Sequence, residues 1–209
     1  MLPQPVLDGL LIVVGYLCGS LPMGVIVARL TGARDPRTVG SGRTGGTNAL
    51  RAMGAWRAVL VATLDLLKGF VPVAVATLAG TSPWGVALTG LACVVGAWRS
   101  VFLGFHGGRG VATGIGAALF IQPLAIPIAA PFFFVTIGLT RWVSLGSLLG
   151  VAAGTVAIGL FVALGWNDLP DLLFAVVGAT IVWVAHYDNI GRLLRGEERR
   201  FDPFARGDD

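Results

Sequence analysis

Residues Leu145–Gly165 read LGSLLGVAAGTVAIGLFVALG, without a single Asp, Glu, Lys or Arg. A helix needs about 20 apolar residues to cross the hydrocarbon core of a bilayer, where it satisfies its own backbone polar groups. This stretch therefore predicts a transmembrane helix. Three further long apolar runs, at Leu10–Ala28, Ala58–Gly80 and Leu172–His186, predict the same structure.

The composition of the 209 residues agrees with that interpretation. Hydrophobic residues make up 55% of the chain and charged residues 12%, whereas soluble domains average about 25% charged residues. The mean hydropathy is +0.81. Cys18 and Cys93 both lie inside apolar runs, so they predict neither a disulfide framework nor a metal site. The chain is expected to be an integral membrane protein.

Shorter apolar runs complete the set of segments. They are Gly85–Ala97, Val111–Ile121 and Leu124–Thr140, the last of which follows Pro123 directly, as expected where a proline separates two helices. We therefore predict an all-α integral membrane protein with about seven transmembrane helices, some of them short or re-entrant. Residues 1–209 are expected to form one polytopic domain.

The arginines divide the connections between these segments into two classes. Every second connection, at 81–84, 122–123 and 166–171, contains no Lys or Arg, whereas the arginines lie in the other connections and after the seventh segment. Because Lys and Arg collect in cytoplasmic loops, this pattern predicts an external N-terminus and a cytoplasmic, arginine-rich tail at 192–209. Six or eight segments would break the pattern. The net charge of +4 then reflects topology and anionic lipid headgroups, and no nucleic-acid-binding fold is recognisable.

One cytoplasmic connection has the composition of an anion-binding loop. It reads Gly40-Ser-Gly-Arg-Thr-Gly-Gly-Thr-Asn-Ala-Leu-Arg51. Glycines let backbone N–H groups converge, hydroxyls add donors, and arginines offer forked contacts to phosphate oxygens. The alternative is a flexible loop that merely follows the topology rule.

A second polar cluster, Phe105-His-Gly-Gly-Arg-Gly-Val-Ala-Thr113, precedes a predicted helix. A glycine-rich turn that leads into a helix aims free N–H groups and the positive end of the helix dipole at one point, where Arg109 and Thr113 add side-chain donors. The spacing differs from that of a nucleotide P-loop, so ATP binding is not implied. A tight re-entrant turn would also explain the glycines.

Three further positions on the same side of the membrane are candidates. Ser144 opens the sixth segment, where it is either functional or a helix N-cap. His186 and Asn189 close the seventh, and they share one face if the helix continues through them. Within the second segment, Asp65 and Lys68 are spaced for an ion pair, and Lys68 could also reach a substrate anion.

The order of these motifs resembles the bacterial acyl-phosphate-dependent glycerol-3-phosphate acyltransferases. The resemblance covers nearly the whole chain and rests on these stretches: Gly19-Ser-Leu-Pro-Met-Gly24, Asp35 with Arg37, Gly40-Ser-Gly, Gly46-Thr-Asn-Ala-Leu-Arg51, Asp65-Leu-Leu-Lys-Gly69, Val101-Phe-Leu-Gly-Phe, Gly107-Gly-Arg-Gly-Val-Ala-Thr113, Val143-Ser-Leu-Gly-Ser147, and His186 with Asn189-Ile and Arg192-Leu-Leu.

The resemblance implies transfer of a fatty acyl group from acyl phosphate to the 1-hydroxyl of glycerol-3-phosphate, giving lysophosphatidic acid and phosphate. This is the first step of phospholipid synthesis, and it implies a bacterial inner membrane and no metal, nucleotide or other cofactor. The implied catalytic residues are Ser41, Arg51, Ser144, His186 and Asn189. The implied substrate-binding residues are Gly42, Arg43, Thr47, Asn48, Lys68, Gly107, Gly108, Arg109, Gly110 and Thr113.

The chain departs from the family pattern at three places. It has Arg43-Thr-Gly-Gly-Thr-Asn48 where the family usually has Asn-Pro-Gly-Ala-Thr-Asn, and Arg109 where the family has Lys. Ala97 stands where the family commonly has His. If that histidine is catalytic in relatives, the chain is a paralogue with an altered substrate or low activity; if it is structural, or if His106 substitutes for it, the enzyme interpretation holds. The alternatives are a paralogue with a different acceptor and a small anion or lipid transporter, although no inverted repeat is visible.

Overall fold

The computed structural model describes residues 2–202, which form ten α-helices and two short 3-10 turns. The helices are α1 (Gln4–Ser20), α2 (Met23–Leu30), α3 (Gly46–Met53), α4 (Ala55–Leu78), α5 (Pro83–Trp98), α6 (Val111–Ile121), α7 (Ala125–Thr140), α8 (Val143–Ala163), α9 (Leu169–Ala185) and α10 (Tyr187–Leu194). The all-α fold expected from the sequence is confirmed for these residues. Positions 203–209 of the predicted arginine-rich tail lie outside the described residues.

Three helical stretches are long and apolar enough to cross a membrane: Ala55–Leu78, Pro83–Leu103 and Val143–Ala163. The number rises to five if the bent pairs α1 with α2 and α9 with α10 each count as one span. Helices α6 and α7 are shorter and apolar. Each of the seven predicted segments therefore coincides with a helix or a bent pair, while the count of seven membrane crossings stays a prediction.

The first predicted segment is broken instead of continuous. Helix α1 ends at Ser20, α2 begins at Met23, and their axes differ by 49°. Pro22 causes the break because it has no N–H to continue the helical ladder and disfavours helical geometry in the residue before it. The break exposes the carbonyl of Leu21, which accepts a hydrogen bond from Lys68 Nζ at 3.0 Å.

Glycines allow α4 and α6 to pack with their backbones in direct contact. A Cβ atom on Gly69 would collide with the Thr113 carbonyl, and one on Gly116 would collide with the Leu66 carbonyl. The two helices therefore approach more closely than any larger residue would permit. This contact places the N-terminus of α6 beside the middle of α4.

The short helix α3 is held at the same end of the bundle by an apolar cluster. Ala49 and Leu50 from α3 are buried against Val27 from α2 and Val61 from α4, and Phe201 from the tail packs on the same cluster. Complete burial of a valine, leucine or phenylalanine side chain is worth about 1.5–3 kcal/mol, and that of an alanine methyl less. The cluster therefore anchors a polar helix that does not itself span the membrane.

We predict that Gly116→Val lowers the melting temperature of the protein in detergent, because the new side chain must push α6 away from α4. Overpacking of this kind costs about 1–3 kcal/mol. Gly138→Val is the matched control, since Gly138 is exposed on α7 and a Cβ added there would meet no atom within 4 Å. Equal melting temperatures for the two variants would contradict the close α4–α6 contact.

Candidate functional site

A polar cavity of about 280 Å³ lies where several helix N-termini meet. The first turns of α3, α6 and α8 line it, together with His186 and Asn189 at the start of α10. Free N–H groups and the helix dipole make each such N-terminus favourable for an anion. Four of them around one cavity create a strongly anion-attracting site.

The cavity brings together most of the predicted site residues, although they are far apart in sequence. The residues that line it are Ser41, Arg43, Thr47, Asn48, Arg51, Lys68, Gly108, Arg109, Gly110, Thr113, Ser144, His186 and Asn189. Gly42 and Gly107 do not line it. Both belong to the loops that form its walls.

Only the first half of the predicted anion-binding loop at 40–51 is a loop, because its second half belongs to a helix. Residues Gly46–Met53 form α3, and the turn before them is shaped by the side chain of Asn48. Its Nδ2 donates to the carbonyls of Pro36, Val39 and Arg43 at 2.6, 3.1 and 2.8 Å. Its Oδ1 accepts from the backbone N–H of Ser41 at 3.1 Å. The side-chain amide of Asn48 therefore bonds to the protein backbone, and it fixes the turn that presents Ser41 and Arg43 to the cavity.

The second predicted loop is tied to the end of α5. The N–H groups of Gly107 and Gly108 donate to the carbonyls of Trp98 and Ala97 at 2.9 and 2.8 Å. Gly110 then adopts a left-handed conformation, with φ of 76°, as the N-cap of α6. Glycine is the residue that adopts this geometry without a steric cost. The loop therefore turns sharply and presents Arg109 to the cavity.

The two loops also contact each other. Arg43 donates from its guanidinium to the Gly107 carbonyl at 3.3 Å. Thr44, behind the same turn, is buried. One wall of the cavity is therefore continuous from Ser41 to Arg109.

Arginines dominate the electrostatics of this wall. Burial lowers the pKa of Arg109, and the Asp188 carboxylate opposes that shift. Burial also lowers the pKa of Arg51, and the positive charge of the nearby Arg199 lowers it further. The ordinary pKa of an arginine side chain lies far above neutral pH, so both side chains stay cationic at pH 7.

Two acidic residues that the sequence did not single out balance these cations. Asp188 Oδ2 lies 3.3 Å from Arg109 and 3.4 Å from Arg192. Glu198 accepts from Asn189 Nδ2 at 2.7 Å and from Arg192 Nε at 3.0 Å. In the sequence, the only hint of a role for Asp188 or Glu198 is that each is an acidic residue in a strongly basic segment.

The structure decides two points about helix ends that the sequence left open. Ser144 is not an N-cap, because α8 begins at Val143 after Trp142 and no side chain caps it. The seventh helix does not continue through His186 and Asn189; α9 ends at Ala185 and α10 leaves it at 61°. Both side chains nevertheless reach the cavity, His186 from the break itself and Asn189 from the first turn of α10.

His186 has a defined orientation. Its Nδ1 lies 2.7 Å from the carbonyl oxygen of Val182. A carbonyl can only accept, so Nδ1 carries the proton and Nε2 of the neutral ring is left as an acceptor. The imidazole can therefore receive a hydrogen bond from a substrate hydroxyl.

Several polar atoms in the cavity wall are buried without a hydrogen-bond partner among the described residues. They are Ser41 Oγ, Ser144 Oγ, Arg109 Nε and Asn189 Oδ1. Leaving such a group unsatisfied costs about 1–3 kcal/mol. Their arrangement around one cavity is typical of a binding site for a polar, anionic ligand.

Two other predicted binding residues are already engaged within the protein. Lys68 Nζ lies 2.8 Å from Asp65 Oδ1 and also donates to Leu21, which confirms the predicted ion pair. Thr113 Oγ1 donates to the Asp65 carbonyl at 3.0 Å. Both residues line the floor of the cavity. Lys68 keeps one ammonium hydrogen for a further acceptor.

The position of Ala97 also bears on the site. Ala97 lines the cavity, whereas His106 does not. His106 is exposed, and its Nδ1 lies 2.7 Å from the Gly104 carbonyl. The expectation that His106 could substitute for a histidine at position 97 is therefore wrong. Residues 2–202 contain no group of three or more His, Cys, Asp or Glu side chains that could hold a metal ion.

An apolar cavity of about 400 Å³ adjoins the polar one. It lies between α6, α7, α8 and α9, and its wall is almost entirely aliphatic and aromatic. Four residues belong to both walls: Val111, Ile115, Phe133 and Ser147. The site therefore joins a cationic compartment to an apolar one, as a ligand with an anionic head and an apolar tail requires.

Comparison with known proteins decides between the possible classes. The family model described as glycerol-3-phosphate acyltransferase matches residues 9–196. The chain belongs to the glycerol-3-phosphate acyltransferase family. A glycerol-3-phosphate acyltransferase of Anaeromyxobacter sp. (strain Fw109-5) is 43% identical over 199 residues, which cover 93% of this chain and 97% of the relative.

Solved structures agree with the family assignment. PlsY (YgiH), an integral membrane glycerol 3-phosphate acyltransferase, matches in its glycerol 3-phosphate form with a TM-score of 0.85 and 36% identity, over 93% of this chain and 96% of that chain. Its lysophosphatidic acid form matches with a TM-score of 0.82 and 33% identity, over 95% and 97% of the two chains. The resemblance inferred from the motifs is thus confirmed, and this member of the acyltransferase family is a multi-pass membrane protein.

We predict different stability effects for two polar residues of the site. Asn48→Ala removes the bonds that hold the turn before α3, so it should lower the melting temperature in detergent, since each lost bond costs about 1 kcal/mol. Ser144→Ala removes a buried hydroxyl without a protein partner, so the melting temperature should stay the same or rise by a few degrees, because the desolvation cost of that hydroxyl is removed. Differential scanning fluorimetry measures both. A large loss for Ser144→Ala with none for Asn48→Ala would contradict the assignments.

Proposed function

We propose that this chain transfers a fatty acyl group from acyl phosphate to the 1-hydroxyl of glycerol-3-phosphate at the junction of the two cavities. The observation that carries the proposal is that junction, because both substrates bear phosphate and one also bears an apolar chain. Family membership and the ligand forms of the matching PlsY structures support the same reaction. The products are lysophosphatidic acid and inorganic phosphate.

The phosphate groups are held by the cationic wall. Ser41 lies in the turn before α3 and Arg51 lies in α3 itself. Arg109 reaches the cavity from the glycine loop that precedes the N-terminus of α6. Two anionic substrates repel each other, so this concentration of donors lowers the cost of bringing them together. The same donors stabilise the oxyanion that develops at the acyl carbon.

The reacting hydroxyl lies near Ser144, His186 and Asn189. Its oxygen forms the new ester bond to the acyl carbon, and the bond from that carbon to the phosphate oxygen breaks. The hydroxyl proton ends on the departing phosphate, which is itself a base of suitable strength at neutral pH. His186 Nε2 orients the hydroxyl as an acceptor, and the unpartnered Ser144 Oγ and Asn189 Oδ1 complete the polar contacts of the glycerol.

The acyl chain occupies the apolar cavity. Phe133 and Ile115 stand at the boundary between the two compartments, so they lie where the first carbons of the chain would enter. Burial of each CH₂ group contributes about 0.8 kcal/mol. This binding energy, gained far from the reacting atoms, holds the acyl carbon in place for attack.

We further propose that residues 1–209 form one domain in a bacterial inner membrane, with the N-terminus outside and the catalytic cavity facing the cytoplasm. The distribution of arginines supports this orientation, because the cavity arginines share one side with the tail at 192–209. Both substrates carry charged phosphate groups and are most accessible from that side.

We predict that Ser41→Ala and Arg51→Ala each reduce kcat/KM by more than about tenfold, equivalent to at least about 1.4 kcal/mol of transition-state stabilisation. The assay uses purified protein in detergent with palmitoyl phosphate and glycerol-3-phosphate, and it follows phosphate release and lysophosphatidic acid. Thr180→Ala and Arg195→Ala are matched controls on the exposed surface, and both should retain wild-type rates.

Other outcomes of the assay would overturn the proposal. Phosphate release that does not require glycerol-3-phosphate would contradict the proposal that glycerol-3-phosphate is the acyl acceptor. An absence of turnover, combined with movement of glycerol-3-phosphate into proteoliposomes, would indicate a transporter. Wild-type rates in both cavity variants would contradict the phosphate site.

We predict that labelling with a membrane-impermeant maleimide distinguishes the external side of the protein from its cytoplasmic side. In a variant with Cys18 and Cys93 replaced by alanine, a cysteine at the exposed Trp166 should be labelled in intact spheroplasts. One at the exposed Arg195 should be labelled only after permeabilisation. The reverse pattern would invert the proposed orientation.

A further inference from the structure

Asp188 contacts the cationic wall from behind. Its Oδ2 lies 3.3 Å from Arg109 Nη2 and within 3.5 Å of both terminal nitrogens of Arg192. Its other oxygen, Oδ1, is buried without a partner among the described residues. Asp188 does not line the cavity, whereas Arg109 does. Its most direct effect on a ligand therefore passes through Arg109, and a longer route runs through Arg192 to Glu198, which also lines the cavity.

Arg109 needs such a partner because its backbone offers little restraint. Glycines flank it on both sides, and its long side chain has several rotatable bonds whose immobilisation costs about 2 kcal/mol of rotamer entropy. Its Nε is buried and unpartnered at the cavity wall, within the part of the chain that the structure describes. The ion pair with Asp188 therefore supplies a restraint that the backbone does not.

Asp188 is held in place by a second arginine. Arg192, one helical turn further along α10, pairs with Asp188 and with the buried Glu198, whose Oε2 lies 3.0 Å from Arg192 Nε. Helical residues four apart face the same side, which keeps Asp188 and Arg192 together. The chain of contacts runs from Glu198 through Arg192 and Asp188 to Arg109. It joins the glycine loop to α10 and to the residues that follow this helix.

We propose that Asp188 is a positioning residue for the substrate phosphate: it holds Arg109 so that its free donors face the cavity, and it couples the glycine loop to the helix that carries Asn189. This inference rests on the proposed acyl transfer and adds a residue to it. The shared carboxylate fixes the direction of the Arg109 guanidinium without neutralising both arginines. Glu198 offsets the second arginine of the network, so these four groups together carry no net charge. Arg109 therefore offers a phosphate oxygen its remaining N–H donors, while Arg43 and Arg51 supply surplus positive charge to the cavity.

The test compares Asp188→Asn with Asp188→Glu in the palmitoyl phosphate assay. Asparagine keeps the shape but loses the charge that orients Arg109, so KM for one of the two phosphate substrates should rise about tenfold. The other KM and kcat should stay within about twofold. Asp188→Glu restores the carboxylate and should recover most of the affinity. Glu197→Gln is the matched control, because it removes a carboxylate that pairs with the exposed Arg195; it should change nothing.

A double-mutant cycle separates positioning from general stabilisation. In an Arg109→Gln background, Asp188→Asn should have no further effect on KM. An equal effect in both backgrounds would overturn the inference, as would a fall in KM, which would mean that Asp188 competes with phosphate. Wild-type kinetics for Asp188→Asn would overturn it while leaving the acyltransferase assignment intact. Failure of that assignment itself would appear as an inactive wild-type protein.

Discussion

The buried pair of Asp65 and Lys68 is the interaction on which the arrangement of the site depends. An unpaired charge inside a membrane helix costs several kcal/mol, and the two side chains, 2.8 Å apart, neutralise each other. Lys68 also donates to the Leu21 carbonyl at the helix break, which accepts a second hydrogen bond from the Met23 backbone N–H. Thr113 donates to the Asp65 backbone from α6. One polar cluster therefore ties α4 to the α1–α2 break and to the glycine loop.

That cluster forms the floor of a cavity whose other walls carry excess positive charge. Helix N-termini and arginines would repel one another there. Asp188 in α10 and Glu198 after it offset part of that charge. The unpartnered donors and the remaining cationic charge favour a ligand with phosphate groups. The adjoining apolar cavity selects for one whose other end is a hydrocarbon chain. A phosphate binder and a lipid binder are thus combined in one small bundle.

Much of this architecture could be predicted from the sequence because hydrophobic length and arginine placement are local signals. All seven predicted apolar segments coincide with helical structure, and the ordered glycine motifs were enough to identify the family. The residues that line the cavity were predicted largely through that resemblance. Charge patterning alone placed them on one side of the membrane without showing that they meet.

Features that depend on tertiary contacts were missed or assigned wrongly. The sequence left open whether the helix continues through His186, and the structure shows a break there. The turn before α3 is built by Asn48, whose main partners are backbone carbonyls that a sequence does not reveal. Asp188 and Glu198 gave no signal, since an acidic residue in a basic segment is commonly solvated. His106 was a reasonable substitute for Ala97 by proximity in sequence, but its side chain turns to Gly104 outside the cavity.

The most direct test of the account is an experimental structure of the protein in lipid with glycerol-3-phosphate and a non-hydrolysable acyl phosphonate. We predict that both phosphorus groups lie within hydrogen-bond distance of the wall formed by Ser41, Arg51 and Arg109. The acyl chain should fill the apolar cavity past Phe133, with the glycerol 1-hydroxyl facing the acyl carbon beside His186. Phosphorus groups bound outside the polar cavity, or an acyl chain lying elsewhere on the bundle, would contradict the central claim.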